Sequence, residues 1–240
     1  MPDAIAVKSL SRRFGDRQVL ADVSFVVTQG AACALVGANG AGKTTLIKIL
    51  LDFLNPSAGD VQLFGRAPGD PGSRAGSAFL PERFIPPAFL TGNEFLRYTA
   101  ELQGTALNPD AVLAMAARLD LGELDLSKSV GAYSKGMAQK LGLLACLMAS
   151  PKLLLLDEPM SGLDVQGRRA IKLALQEYHA AGGTLLFTSH LLNDISGLAD
   201  DLVVLDQGRV RFNGAPADFL AAHGAADMEQ AYLACVAGQL

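Results

Sequence analysis

The residues with the plainest chemistry are Gly37-Ala38-Asn39-Gly40-Ala41-Gly42-Lys43-Thr44. They match the pattern G-x-x-x-x-G-K-[ST] and lie between an apolar run, 31–36, and a helical pattern over 44–54. Strand, glycine loop and helix in that order form the context in which this pattern cradles phosphate. Glycines let successive backbone N–H groups turn inward and form a concave nest for an anion. The helix behind the loop adds its unpaired N–H groups and its positive dipole end. Lys43 supplies a mobile charge for β- and γ-phosphates, and the Thr44 hydroxyl suits Mg²⁺. A turn that merely caps a helix accounts for one or two glycines, but not for Lys-Thr at this offset. The expectation is binding of a nucleoside triphosphate.

Leu153-Leu154-Leu155-Leu156-Asp157-Glu158 is the second such group, an apolar strand that ends in two carboxylates. Asp157 suits Mg²⁺, typically through water. Glu158 is placed to polarise a water for in-line attack on a γ-phosphate. His190 ends the following expected strand, where a neutral imidazole can donate to a phosphate oxygen or orient that water. The run Tyr133-Ser134-Lys135-Gly136-Met137-Ala138-Gln139-Lys140 reads as a helix start. Ser134 is a good N-cap, Gly136 permits close approach, and the exposed N–H groups make another anion site. A chain that already has a phosphate loop has a use for this site if it serves another molecule's nucleotide. Phe14, beside an expected turn at Gly15-Asp16, reads equally as a core aromatic or as a ring that stacks on a base.

The elements that must position these groups follow from periodicity. Residues 4–10 and 19–27 read as strands, 59–65 as a short strand, and the Gly-, Pro- and Asp-rich 66–76 as loop. A strand at 77–80 runs into Pro81-Glu82. The apolar stretch 83–90 is broken by Pro86 and Pro87, which argue against helix or central strand. It is either folded into the core or held out for a partner. Thr91-Gly92-Asn93-Glu94 has the form of a capping box and opens a helix to about residue 103. Helices follow at 110–118 and 134–149, with no strand signal between 91 and 150, so a helical subdomain is inserted into an α/β core. Strands at 153–156, 184–189, 202–205 and 209–212 then alternate with helices at 165–180 and 191–199, and a helical segment covers 216–238. That alternation indicates a mostly parallel sheet with helices on both faces and active groups at the carboxyl ends of the strands.

Composition bounds the function. A length of 240 residues fits one to two domains, and half the chain is hydrophobic, which excludes disorder. The formal charge of −4 gives no general drive towards nucleic acid, and none is expected as a partner. Cys33, Cys146 and Cys235 lack metal spacing and lie in apolar surroundings, as core thiols of a reducing compartment do. Residues 1–10 do not form a secretory signal, and the apolar stretch 141–149 falls well short of a bilayer span. The expectation is a soluble intracellular protein, peripheral to a membrane at most through a partner.

The succession of phosphate loop, helical insert ending in Tyr133–Gly136, Asp157-Glu158, Ser161-Gly162-Leu163-Asp164 and His190 resembles the ATP-binding-cassette (ABC) ATPases over nearly the whole chain. The resemblance implies a P-loop NTPase core with a mostly parallel sheet, an antiparallel β subdomain at the N-terminal side and an inserted α-helical subdomain. It implies a single nucleotide-binding domain over 1–240. Residues 1–90 and 151–214 would form the core, 91–150 the helical subdomain and 215–240 a C-terminal extension. It matches Phe14 to the adenine-stacking aromatic. It matches Gly37, Asn39, Gly40, Ala41, Gly42, Lys43, Thr44 and Thr45 to the phosphate site, and Ser134 with Gly136 to the signature loop. It matches Ser161 to Asp164 to a dimer-interface loop, and His190 to the switch histidine. Lys43, Glu158 and His190 take the catalytic roles; Thr44, Glu82 and Asp157 hold Mg²⁺.

Such proteins work as head-to-tail dimers with two ATP between one copy's P-loop and the other's signature. Glu82 stands where the family usually has glutamine, and Lys135 where glycine is commonest; Tyr133 and Met137 replace Leu and Gln. Pro-Glu and Tyr-Ser-Lys-Gly-Met are similar to the bacterial export-type subgroup, whose integral-membrane permease is a separate polypeptide. That places the subunit on the cytoplasmic face of the inner membrane. The alternative is a soluble ABC ATPase acting on ribosomes or DNA, whose members resemble paired cassettes or long coiled coils.

Overall fold

The structure, a computed structural model, describes residues 2–237. In chain order the elements are β1 (Asp3–Phe14), β2 (Arg17–Thr28), β3 (Ala32–Val36), α1 (Lys43–Leu50), β4 (Ala58–Leu63), β5 (Ser77–Leu80), α2 (Gly92–Leu102), α3 (Pro109–Arg118), α4 (Glu123–Leu126) and α5 (Lys135–Met148). They continue with β6 (Leu153–Leu156), α6 (Val165–Ala180), β7 (Thr184–Ser189), β8 (Asp201–Asp206), β9 (Arg209–Gly214), α7 (Pro216–His223) and α8 (Met228–Ala237). The chain forms two compact units. One comprises the residues up to Ala75 and those from Gly182 onward; the other is Gly76–Ala181.

The first unit holds two kinds of sheet. An antiparallel sheet has the order β2-β1-β4. Along β2 the apolar Val23, Phe25 and Val27 are buried while Asp22, Ser24 and Val26 between them are exposed, the alternation of a sheet with one covered face. In the same unit β3 lies between β7 and β8, parallel to both, and β9 closes the edge antiparallel to β8. Every residue of β3 and β7 is buried, which is why β3 reads as an uninterrupted apolar run, while β7 buries Thr184, Thr188 and Ser189 beside its apolar residues. Behind β9, the fully buried Phe219 of α7 packs on Phe212 at 4.8 Å and on His223 at 4.9 Å between ring centroids.

In the second unit, β5 and β6 pair in parallel from Ser77↔Leu153 to Leu80↔Leu156. The four leucines of β6 are completely buried, and each such side chain contributes about 1.5–3 kcal/mol. Helices α2 to α5 form the expected strand-free segment. α5 comes so close to β5 that a side chain at Gly142 would strike Leu80 at 2.6 Å and Phe84 at 2.8 Å.

Several expectations are corrected. The helix expected over 191–199 is a single 3-10 turn, Leu192–Asp194. Ser189 Oγ accepts from the Leu191 N–H at 3.0 Å, and Gly197 takes a positive φ of 69°, so local bonds and a glycine replace the helical ladder. Helix α1 stops at Leu50 rather than near 54, because Asp52 enters the left-handed region at φ 62°. The segment 216–238 is two helices separated by Gly224 at φ 58°, and Gly238 lies outside the described residues. β1 and β2 extend further than the apolar pattern, closing on each other at Phe14↔Arg17. The one-turn α4 was too short to leave a periodic signal. Cys33 and Cys146 are buried as expected and burial pushes both thiols up, that of Cys146 to about 12; Cys235 is only half-buried. Among the described residues, no helix is long and apolar enough to cross a membrane.

The capping box of α2 is complete. Glu94 N–H donates to Thr91 Oγ1 at 3.2 Å, and the Glu94 carboxylate accepts from the Thr91 N–H at 2.8 Å. Those bonds from Thr91 hold the Glu94 carboxyl below its ordinary pKa. A depressed carboxyl pKa stabilises the fold above the ordinary glutamate range, and that contribution disappears as pH falls through the folded value. Thr91→Ala is therefore expected to cost about 1 kcal/mol at neutral pH. In chemical denaturation, its gap from the parent should narrow under acid; a gap that widens would refute the assignment.

Candidate functional site

In the first unit, the loop 37–42 leaves the end of β3 and enters α1. Gly40 and Gly42 take φ of 84° and 112°, and Gly42 is the N-cap residue of α1. A side chain at Gly42 would meet Leu20 Cδ2 at 2.6 Å, and one at Gly37 would run into the Leu205 carbonyl oxygen of β8. Glycine is thus required at 37 by crowding and at 42 by crowding and backbone conformation. No side chain caps α1 and its first turn has no acidic residue, an arrangement in which the dipole end favours an anion. Lys43 is buried, and its Nζ donates to the Gly37 carbonyl at 2.6 Å and the Ala38 carbonyl at 3.4 Å. Thr44 and Thr45 follow on the same first turn. Asn39 and Gly40 are exposed at the loop's crest, and Ala41 is buried beneath it.

Strand register brings a further predicted group to this loop. Val36 pairs with Ser189 of β7, so Gly37 and His190 leave neighbouring strands at the same level. His190 is exposed there. Phe14 stands at the tip of the β1–β2 hairpin, 43% exposed, which removes the core reading and leaves a ring open to stacking.

Two contacts in this unit have no local sequence signal. The Gly208 N–H, in the turn between β8 and β9, donates to the Ala41 carbonyl at 3.1 Å and braces the loop from behind. Tyr232 of α8 has its hydroxyl pKa raised by burial, opposed by a hydrogen bond to the Ala38 backbone. Glycine in a "Gln-Gly" turn is visible in the sequence; what it braces is not.

In the second unit, Asp157 and Glu158 follow β6. The Asp157 N–H donates to the Leu80 carbonyl at 2.9 Å, continuing the ladder beyond the strand. Asp157 is 3% and Glu158 7% exposed. Glu158 has a φ of 49°, uncommon for a residue with a Cβ, and its carbonyl accepts from the Ser161 N–H at 3.0 Å. Strained backbone of this kind costs about 1–3 kcal/mol and gathers at functional positions. Because Leu80 pairs with Leu156, Pro81-Glu82 and Asp157-Glu158 emerge from neighbouring strands at one level. Glu82 is exposed.

Ser134 caps α5, its Oγ accepting from the Met137 N–H at 3.2 Å, again with no acidic residue in the first turn. Gly136 lies against Leu163, where a side chain would come within 3.0 Å. The Lys135 stem passes over Gly162, its Nζ 3.1 Å from where a Cβ would stand. Asp164 caps α6 through the Gly167 N–H at 2.7 Å. The apolar stretch 83–90 divides between its two readings. Phe84 is tucked in, edge-on to Phe95 at 5.7 Å, while Ile85 and Phe89 are held out at 72% and 84% exposure.

With this geometry in view, the family model described as ABC transporter matches residues 20–161. The chain belongs to the ABC transporter family. An uncharacterized ABC transporter ATP-binding protein of Synechocystis sp. is 37% identical over 204 residues, covering 84% of this cassette and 58% of the relative. The Nod factor export ATP-binding protein I of Burkholderia orbicola is 34% identical over 218 residues, covering 88% and 71%. A solved structure described as the ATP binding subunit of an ABC transporter superposes with a TM-score of 0.87 at 32% identity, over 97% of this cassette and 99% of that chain. This cassette spans about 58% of the length of the first curated relatives it matches. The alternative of a soluble ABC ATPase working on ribosomes or DNA finds no support among them. The fold expected from the sequence is the one these relatives share, with an antiparallel sheet and a mostly parallel one.

Gly37→Ala tests the loop's fit. The added methyl must displace β8 or the loop, at about 1–3 kcal/mol, and should abolish binding of a fluorescent ATP analogue. Retained binding with parental stability would show that the close approach is dispensable.

Proposed function

We propose that this cassette is the ATP-binding and ATP-hydrolysing subunit of a transporter, closing head-to-tail with a second copy around two ATP to drive a separately encoded integral-membrane permease. The observation that carries the reading is a pair of helix starts, each behind a glycine-bearing or capped loop and each clear of acidic residues. α1 begins behind the glycine loop and α5 behind Ser134, and neither has an acidic residue in its first turn. A helix start of the second kind has a purpose when it faces the nucleotide of another copy.

In this reading adenine stacks on Phe14, and the backbone of Gly37, Asn39, Gly40, Ala41, Gly42 and Thr45 encloses the phosphates. Lys43 exchanges its own loop's carbonyls for β- and γ-phosphate oxygens. Ser134 and Gly136 present the other copy's helix start to the γ-phosphate. Thr44, Asp157 and Glu82 would hold Mg²⁺. Their donors are all hard oxygens, and a carboxylate as buried as that of Asp157 suits a site that receives a cation. When bound, the ion neutralises charge on the β- and γ-phosphate oxygens. Glu158 accepts a proton from the attacking water, and His190 donates to a γ-phosphate oxygen or orients that water.

The domain organisation follows the same reading. Residues 1–90 and 151–214 act as the ATP-binding core, 91–150 as the signature subdomain and 215–240 as an extension of one nucleotide-binding domain. The permease docks over Ile85 and Phe89, and the direction is export, as the name of the Nod factor relative and the Tyr-Ser-Lys-Gly-Met segment suggest. The subunit then works at the cytoplasmic face of the inner membrane.

Glu158→Gln decides the central step. Removing a general base slows chemistry by about 10²–10⁴-fold, so phosphate release should fall by that factor while size-exclusion chromatography in excess ATP shows a stable dimer. A variant that remains monomeric with ATP bound sinks the sandwich. One that hydrolyses at the parental rate removes Glu158 from the base role.

A further inference from the structure

Arg12 and Phe14 lie two positions apart on β1. The paired residues Arg12↔Leu20, Arg13↔Gln18 and Phe14↔Arg17 show that the extra residue of the irregularity here, Val19, belongs to β2. The alternation along β1 is therefore unbroken, and both side chains project to one side of the strand. The Arg12 guanidinium carbon sits 4.5 Å from the centroid of the Phe14 ring. Its Nη1 donates to the Asn55 carbonyl at 2.8 Å, which pins the plane in place.

The hairpin turn is closed by other bonds. Arg13 closes the turn by donating from Nη2 to the Asp16 carbonyl at 3.2 Å, and the Arg13 N–H donates to Ser57 Oγ at 3.0 Å. Holding a long arginine in one rotamer costs side-chain entropy, so a pinned guanidinium beside an exposed ring on a hairpin already closed calls for another explanation. The ring supplies one. With a cation over one face, the face left to a stacking partner is the opposite one. The cation draws π density towards itself, and the opposite face then repels the π cloud of an electron-rich purine less strongly.

We propose that Arg12 is a positioning residue for the nucleotide base, backing Phe14 so that the ring offers one fixed, polarised face and Arg12, Phe14 and adenine form a three-layer stack. This rests on the reading of Phe14 as the base platform. Arg12 contributes to holding the base and not to the phosphates, so its loss falls mainly on KM for ATP hydrolysis, with a smaller change in kcat.

The experiment uses the full chain and two probes that differ only in having a nucleoside: ATP and inorganic tripolyphosphate, each displacing a fluorescent nucleotide. Arg12→Met keeps the stem and removes the charged plane. It is expected to weaken ATP about two- to five-fold, the size of an exposed cation–π contact, and to leave tripolyphosphate unchanged. Arg12→Lys, which restores charge without the plane, should recover part of the loss. The proposal is overturned if Arg12→Met weakens both probes equally, leaves ATP unchanged, or tightens ATP by uncovering the ring face the base uses. Phe14→Ala separates the two levels. If it weakens ATP while Arg12→Met does not, only the backing role falls. If it too leaves ATP and tripolyphosphate equally bound, the base-platform reading falls with it.

Discussion

The chemistry of each unit hangs from the level at which parallel strands end. β3 pairs Val36 with Ser189 on one side and with Val204 on the other, so a one-residue slip would separate the phosphate loop from His190 and from the turn that braces it. β3 and β7 are buried throughout, which leaves no room for a charged side chain within them. His190, Glu82 and Asp157-Glu158 accordingly lie in the first residues beyond the strand ends, where the ladder stops and backbone can turn. The second unit obeys the same rule with two strands: Leu80↔Leu156 sets Glu82 and the pair Asp157-Glu158 side by side.

What was legible in the sequence follows from where the information lies. The phosphate loop was readable because its requirements are local, a glycine spacing that encodes backbone conformation and a Lys-Thr that opens a helix. The buried strands were readable as apolar runs, and the capping box as four adjacent residues. Contacts between distant segments left no such mark. Nothing near Gly37 announces the Leu205 carbonyl against it, and nothing near Ala41 announces the Gly208 N–H behind it. The mistaken helix at 191–199 has the same origin in reverse: apolar spacing suggested a helix, while Ser189 and Gly197 provided a competing local solution. Phe14 and the stretch 83–90 were undecidable from residue type because exposure is a tertiary property, and the structure divided 83–90 between both readings.

Two departures from the common family pattern, Lys135 and Tyr133, are accommodated by neighbours. Lys135 replaces a glycine at the start of α5, which adds bulk and positive charge at the end of a helix that already carries positive potential. Its stem finds space because position 162 has no Cβ, and Gly162 adopts φ 74° in the loop before α6. Tyr133, in place of leucine, sends its hydroxyl to the Asp125 carbonyl at 2.6 Å and lies where a side chain at Gly92 would collide with it. Lys135 and Tyr133 are thus each matched by a glycine elsewhere in the same unit.

Lys43 bears on selectivity among anions. Its ammonium donates to the Gly37 and Ala38 carbonyls, so in the proposed reading an incoming phosphate exchanges with partners the lysine already has and does not simply meet a waiting charge. The exchange is worth only the difference between old and new partners. A small anion that engages the lysine alone gains little from it, whereas a polyphosphate that also fills the row of loop N–H groups gains at several places together. In the proposed reading the loop's own carbonyls thus compete with the ligand for Lys43, and the number of loop N–H groups a ligand reaches counts for as much as its charge.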